Sequence, residues 1–209
     1  MKILVATRSP QKLREIREIF GSVDGIELVG LDEAGIESTP EEADLEPHAT
    51  FLENAIAKAR YFHRLSGMPT LADDSGLEVD ALAGAPGVRS KRFAPASGLD
   101  GLARDRANNR HLVERLRGTP PEKRRARYVC EAVLKSVDEE WSFRGEAPGF
   151  ILESEKGEGG FGYDPLFYDP EIGTTFACID REQKNARSHR GKAFRALAHH
   201  LIGTSPGAS

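Results

Sequence analysis

The sequence predicts an α/β fold, and three observations carry that expectation. The chain opens with "KILVAT", an apolar run of strand length, followed by "SPQKLREIREIF", where Leu13, Ile16 and Phe20 recur at helical spacing. A second strand-like run, "IELVGL", follows the turn "GSVDG", so the opening reads β-α-β, as is typical of α/β proteins. Farther on, "ARYVCEAVLKSV" and "EWSFRGEA" alternate in the manner of strands, which predicts an antiparallel pair.

Taken in order, the first helix has Ser9 as its N-cap and Pro10 at its first position, where a missing N–H costs nothing. Asp32 to His48 is acidic and aperiodic, hence a long loop. A second helix, "TFLENAIAKARYFHRL", starts at Thr50 with Glu53 completing a capping box. "TLADDSG" and "LEVDAL" read as strands flanking a turn at Asp73-Asp74-Ser75-Gly76. "GLARDRANNRHLVERLRG" is an amphipathic helix ended by Gly118. "PGFILESE" reads as a further strand, and glycine-rich "KGEGGFGYDP" follows it. Two helical pieces, "DREQKNARSH" and "GKAFRALAHHLI", close the pattern. No repeat or linker divides the chain, so residues 1–202 are expected to form a single domain and 203–209 a disordered tail.

Composition narrows the function classes. With 39% hydrophobic and 30% charged residues among 209, the chain can bury a sizeable core. A formal net charge of −4 argues against nucleic acid or an anionic membrane as the main partner, since both require a basic face. A small anionic ligand is compatible, because a few local cations suffice to neutralise it. Two cysteines, Cys130 and Cys178, stand far apart and out of metal-ligand spacing. Together with an apolar start too short for a signal peptide, they predict a cytoplasmic protein.

Four stretches carry chemistry. In "ATRSPQK" a strand runs into a helix N-terminus, where free backbone N–H groups bind anions. Thr7 and Ser9 add hydroxyls and Lys12 a charge, although a capped helix with a solvated lysine is the plainer reading. The Asp73-Asp74 pair fits a hard divalent cation, one carboxylate holding it while the other takes a proton from water. An acidic Asx-type turn fits equally. Phosphatases that form an aspartyl-phosphate space their aspartates differently, which favours direct attack by water. In "GGFGYDP" the glycines let the backbone bend and approach a ligand, making Phe161 a stacking platform, or alternatively a ring tucked inward. "KNARSHRG" supplies Lys184, Ser188, His189 and Arg190 as donors, with a structural histidine the plainer reading of His189. The run "KRRAR" reads as a solvated edge before a strand, and His199-His200 as surface.

In content and order these pieces resemble the inosine/xanthosine triphosphate pyrophosphatases, the Ham1-like family of XTP/dITP diphosphatases. The similarity runs from "LVATRSPQKLREI" through "TFLENAIAKAR", "ADDSGLEVDALAGAPGVRSKRFA" and "GGFGYDPLF" to "REQKNARSHRGKAFRAL". The resemblance implies a long curved mixed β-sheet with flanking helices, in two lobes around a central cleft, and a homodimer. It implies Mg2+-dependent hydrolysis of ITP, dITP and XTP to the monophosphate and pyrophosphate, removing deaminated purines from the nucleotide pool.

Residue by residue, the resemblance puts Thr7, Ser9, Lys12 and Ser75 at the phosphates. Lys58 is a phosphate-binding catalytic lysine, and Asp74 the general base and a metal neighbour. Glu46 and Asp73 join Asp74 at the metal, with Glu41 and Glu42 close in sequence as alternatives to Glu46. Phe161, Gly162, Tyr163 and Asp164 form the base loop, and Lys184, His189 and Arg190 recognise the purine. Ser9 departs from the family, which usually has asparagine there. Two other classes remain to be weighed: a nucleotide sensor without turnover, which would not need the acidic pair, and a nucleic-acid module, which would need a basic surface.

Overall fold

The structure, a computed structural model, describes residues 1–21, 23–95 and 97–203. The strands are β1 (Lys2–Val5), β2 (Glu27–Gly30), β3 (Thr70–Val79), β4 (Arg125–Lys135), β5 (Glu140–Ile151), β6 (Phe167–Asp169) and β7 (Thr174–Thr175). The helices are α1 (Pro10–Phe20), α2 (Phe51–Ser66), α3 (Gly101–Arg115), α4 (Arg181–Arg187) and α5 (His189–Gly203). The strands form one mixed sheet in the order β2-β1-β3-β4-β5-β6-β7. β1 runs parallel to both β2 and β3, whereas β5, β6 and β7 pair antiparallel. The expected α/β class with a mixed sheet and flanking helices is what is observed. Gly203 closes α5, and the rest of the predicted tail lies outside the described residues.

The chain divides into two compact units, each assembled from separated segments. The first holds residues up to Asp74, then Cys130–Gly145, then His189 onward. Its strands follow the period of two that alternating side chains impose. Ile3 and Val5 of β1, Leu71 of β3, and Cys130, Ala132 and Leu134 of β4 join Ile16 and Phe20 of α1 and Phe194 and Leu197 of α5. Phe20 and Phe194 meet edge to face, with ring centroids 6.2 Å apart. Leu4, Ala6, Ala72 and Val133 occupy the opposite face, with Ala55, Ala59 and Phe62 of α2. Both faces of this parallel region are therefore covered, which is why "ILVA" after Lys2 is apolar throughout rather than alternating.

The second unit comprises Ser75–Val129 and Glu146–Ser188. Its core gathers Leu77 and Val79 of β3, Leu112 of α3, Tyr128 of β4, and Phe167 and Phe176. The Tyr128 and Phe176 rings are nearly parallel, with centroids 6.1 Å apart.

The helix starts follow the sequence reading: Ser9 Oγ accepts from Lys12 N–H at 3.3 Å and Thr50 Oγ1 from Glu53 N–H at 3.2 Å. Four expectations are corrected. The turn at Asp73-Asp74-Ser75-Gly76 is the middle of one ten-residue strand, β3, because both carboxylates find partners in the fold and the backbone has no need to bend. "PGFI" continues β5 rather than forming a new strand. The loop from Asp32 to His48 contains a 3-10 turn, Pro40–Asp44. In "KRRAR", Arg124 is buried rather than solvated, and its guanidinium donates to the carbonyls of Leu116 and Thr119 just past α3.

Candidate active site

The adjacent aspartates have opposite surroundings because strand alternation sends their side chains to opposite faces of β3. Asp73 is on the face of Leu71, covered by α1 and α5. Lys12 Nζ of α1 donates to its Oδ2 at 2.9 Å, and Arg190 Nη2 of α5 lies 3.5 Å from the same oxygen. Arg190 also pairs with the buried Glu15 of α1. Two cations thus face two buried carboxylates. Burial opposes the charge on Asp73, but Lys12, Arg190 and Lys58 outweigh it and hold its carboxyl well below the usual range. Cys130 Sγ, 3.9 Å away, is buried, and its thiol is pushed up.

Asp74 lies on the face of Ala72, towards α2. Asn54 Nδ2 of α2 donates to its Oδ2 at 2.9 Å. Burial raises its pKa above the ordinary carboxylate value, and the nearby Glu46 charge adds to that, although Lys12 and Lys58 pull the other way. Lys58, one turn along α2 from Asn54, donates to the Asp73 carbonyl at 2.8 Å and pairs with Glu46. Burial would strip its proton, but Glu46, Asp73 and Asp74 together keep it charged with a raised pKa. For Glu46, burial raises the pKa and Lys58 more than reverses it.

Neighbouring residues separate Glu46 from the two alternatives. Arg8 takes Glu42 in a two-pronged pair at 3.0 and 2.7 Å and also binds Asp32 at 2.9 Å. The Glu41 carboxyl is fully exposed beside Thr39. Of the three, Glu46 alone is placed with Lys58 and Asp74. Thr7 and Ser9 sit together at the entry to α1, Ser9 N–H donating to Thr7 Oγ1 at 3.2 Å. His189 is buried at the start of α5.

The predicted base loop belongs to the second unit. Asp164, 2% exposed, accepts from Phe161 N–H at 2.9 Å, from Lys184 Nζ at 2.6 Å and from Tyr128 OH at 3.3 Å. Lys184 also lies over the Phe161 ring, 4.4 Å from its centroid. Gly160 is required here, since a Cβ on it would stand 2.1 Å from Asp164 Oδ2. The ring of Phe161 is half-buried rather than sunk in the core. Tyr163 is core, its hydroxyl donating to the Ser90 carbonyl at 2.8 Å. Ser75 is half-buried in β3.

The structure therefore brings Lys12, Lys58, Glu46, Asp73, Asp74 and Arg190 together in one unit, and Phe161, Gly162, Tyr163, Asp164 and Lys184 in the other. Two placements differ from expectation. Arg190, expected to recognise the purine, is 2% exposed and committed to Glu15 and Asp73. Asp73, expected at the metal, is paired with Lys12 and Arg190. Sequence reasoning missed Glu15, Asn54, Arg8 and Asp105. A polar residue at a core-facing helical position, as with Asn54 beside Ala55 and Ala59, is the signal that could have found Asn54 and Glu15. A cavity of about 610 Å3 between Pro121, Arg125, Phe150, Leu152 and Tyr168 contains none of the predicted residues. Among the described residues no helix is long and apolar enough to cross a membrane.

Comparison with known proteins gives the same reading. The Ham1 family model matches residues 3–200. A dITP/XTP pyrophosphatase of Thermus thermophilus is 48% identical over 198 residues, covering 94% of this chain and 90% of the relative. One from Photorhabdus laumondii is 42% identical over 199 residues, 94% of this chain and 95% of that one. Among solved structures, a Ham1 protein from Coxiella burnetii superposes with a TM-score of 0.84 at 33% identity, covering 98% of this chain and all of that one. The order of motifs, the sheet and these relatives agree: the chain belongs to the Ham1 family.

Proposed function

We propose that this protein hydrolyses noncanonical purine nucleoside triphosphates, ITP, dITP and XTP, to the monophosphate and pyrophosphate. The observation that carries the reading is the paired but opposite environment of Asp73 and Asp74 beside Lys12 and Lys58. One carboxylate anchors the cations, and the other is buried with its pKa raised by burial and by Glu46. The relatives named dITP/XTP pyrophosphatase support the substrate class.

Among the described residues no three His, Cys, Asp or Glu side chains form a set able to hold a metal ion alone. This fits Mg2+, which takes one or two carboxylates and completes its shell with water and substrate phosphates. Glu46 and Asp74 would suit that role: the Glu46 charge helps to raise the Asp74 pKa, a cost that a bound cation would relieve. When bound, Mg2+ supplies compensation for the charge that builds up on the departing pyrophosphate.

The chain's own residues do the rest. Thr7, Ser9 and the first N–H groups of α1 bind phosphate oxygens, and Ser75 follows Asp74 in β3 as a further hydroxyl for them. Lys12 and Lys58 balance the triphosphate charge while staying fixed by Asp73 and Glu46. Asp74 orients the attacking water and takes its proton, a task suited to a carboxylate of raised pKa. Phe161 stacks on the base, with Lys184 holding the ring from one side. Backbone donors meet the 6-oxo group shared by hypoxanthine and xanthine, and are left unpaired against adenine. A nucleotide sensor without turnover would leave the basicity of Asp74 without a purpose. The protein acts in the cytoplasm as a homodimer, without nucleic acid or membrane. The test is product identity: ITP turnover should release pyrophosphate and IMP, whereas orthophosphate and IDP would overturn the reading.

A further inference from the structure

Asp105 is a half-buried carboxylate of α3 for which the reaction above has no use. Its Oδ2 accepts from Gly162 N–H at 2.8 Å. Asp164 Oδ2 accepts from the preceding N–H, that of Phe161, at 2.9 Å. These two N–H groups belong to the peptide planes on either side of the Phe161 Cα. Fixing one plane fixes φ of Phe161, fixing the other fixes ψ, and the two together set the direction in which the ring leaves the backbone. Gly162, at φ +63°, is a residue whose freedom would otherwise let that second plane swing. Asp164 is itself held by Lys184 and Tyr128, so its clamp is built into the loop. The Asp105 clamp comes from a helix whose position is fixed one turn on, where Asn108 binds the Ala94 N–H at 2.9 Å and the Ser90 carbonyl at 3.3 Å. Burial and the neighbouring Asp164 both raise the Asp105 pKa, while Gly162 N–H and Lys91 lower it.

We propose that Asp105 is a positioning residue for base recognition, aiming the Phe161 ring through its hydrogen bond to Gly162 N–H. The inference rests on the reading of Phe161 as the platform for the purine. It predicts that Asp105 acts on substrate capture and not on the bond-breaking step, since its hydrogen bond goes to the base loop.

The test is steady-state kinetics on ITP for Asp105→Ala, Asp105→Asn, Phe161→Ala and the Asp105→Ala/Phe161→Ala double variant. Losing one charge-assisted hydrogen bond should raise KM about tenfold with kcat little changed. Asp105→Asn keeps a carbonyl oxygen as acceptor and should recover most of that loss. On the Phe161→Ala background, Asp105→Ala should add less than about twofold, because its effect passes through the ring. Should Asp105→Ala not fold, Asp105→Ser, too short to reach Gly162, carries the same expectation. An unchanged KM, a fall in kcat alone, or an equal effect on both backgrounds overturns the proposal while leaving the platform reading intact. A Phe161→Ala enzyme with normal KM overturns the platform reading itself, and this inference with it.

Discussion

Replacing Asp73 and Asp74 by asparagine, one at a time, should give opposite results from neighbouring isosteric changes. Asp73→Asn removes the shared counter-ion of Lys12 and Arg190. Breaking a buried pair by removing one partner costs about 3–5 kcal/mol. The low end applies, because the Lys12 side chain is 19% exposed and can turn to water, whereas Arg190 at 3% cannot. For a chain of this length about 3 kcal/mol corresponds to a fall in Tm of roughly 6–12 °C. Asp74→Asn removes a charge that burial and Glu46 already disfavour, and its amide oxygen can still accept from Asn54. Its Tm should therefore equal or exceed that of the wild type, while turnover is lost. The sign of the pH effect follows. The Asp73 carboxyl is held below its ordinary 3.8, so its contribution is complete above that pH and lost as the pH falls further. Thermal melts at pH 7 and pH 3, with pyrophosphate release in parallel, check this. Equal destabilisation by both variants, or a larger loss from Asp74→Asn, would refute the assignment of anchor and base.

Two further outcomes test the surroundings. Mg2+ added to the nucleotide-free protein should raise Tm, by about 2.7 kcal/mol of stabilisation at a hundred times its Kd, and Asp74→Asn should respond less; equal responses in a thermal-shift titration would move the metal away from Asp74. The hydrogen bond from Arg8 holds the Glu42 carboxyl below its ordinary 4.5, so Glu42→Gln should lose stability above that pH and approach the wild type in more acid solution. The partial exposure of the pair limits the loss to about 1 kcal/mol, shrinking with salt in denaturant melts.

What the sequence made legible was local. Ser9, Pro10 and Thr50 announce helix starts because capping is decided within four residues, and the apolar run "ILVA" announces a strand covered on both faces. The strand through Asp73-Asp74-Ser75-Gly76 was not legible, since four residues of turn-forming type hide a pattern whose partners are remote. Lys12 is 61 residues from Asp73 and Arg190 is 117. The same holds for Arg124, whose burial depends on the carbonyls at the end of α3. The resemblance to known enzymes named the site residues but not their partners: that Asp73 and Arg190 pair with each other follows from strand alternation and burial, which no local motif reveals. Asp105 escaped because it accepts from a backbone N–H, a contact that leaves no trace in side-chain pattern.

The most direct measurement is pyrophosphate release from ITP, dITP, XTP, ATP and GTP, compared side by side with Mg2+ and with EDTA. The account predicts fast release from the first three only, abolished by EDTA. Equal release from all five would contradict base recognition, and release from none would contradict the enzyme reading altogether.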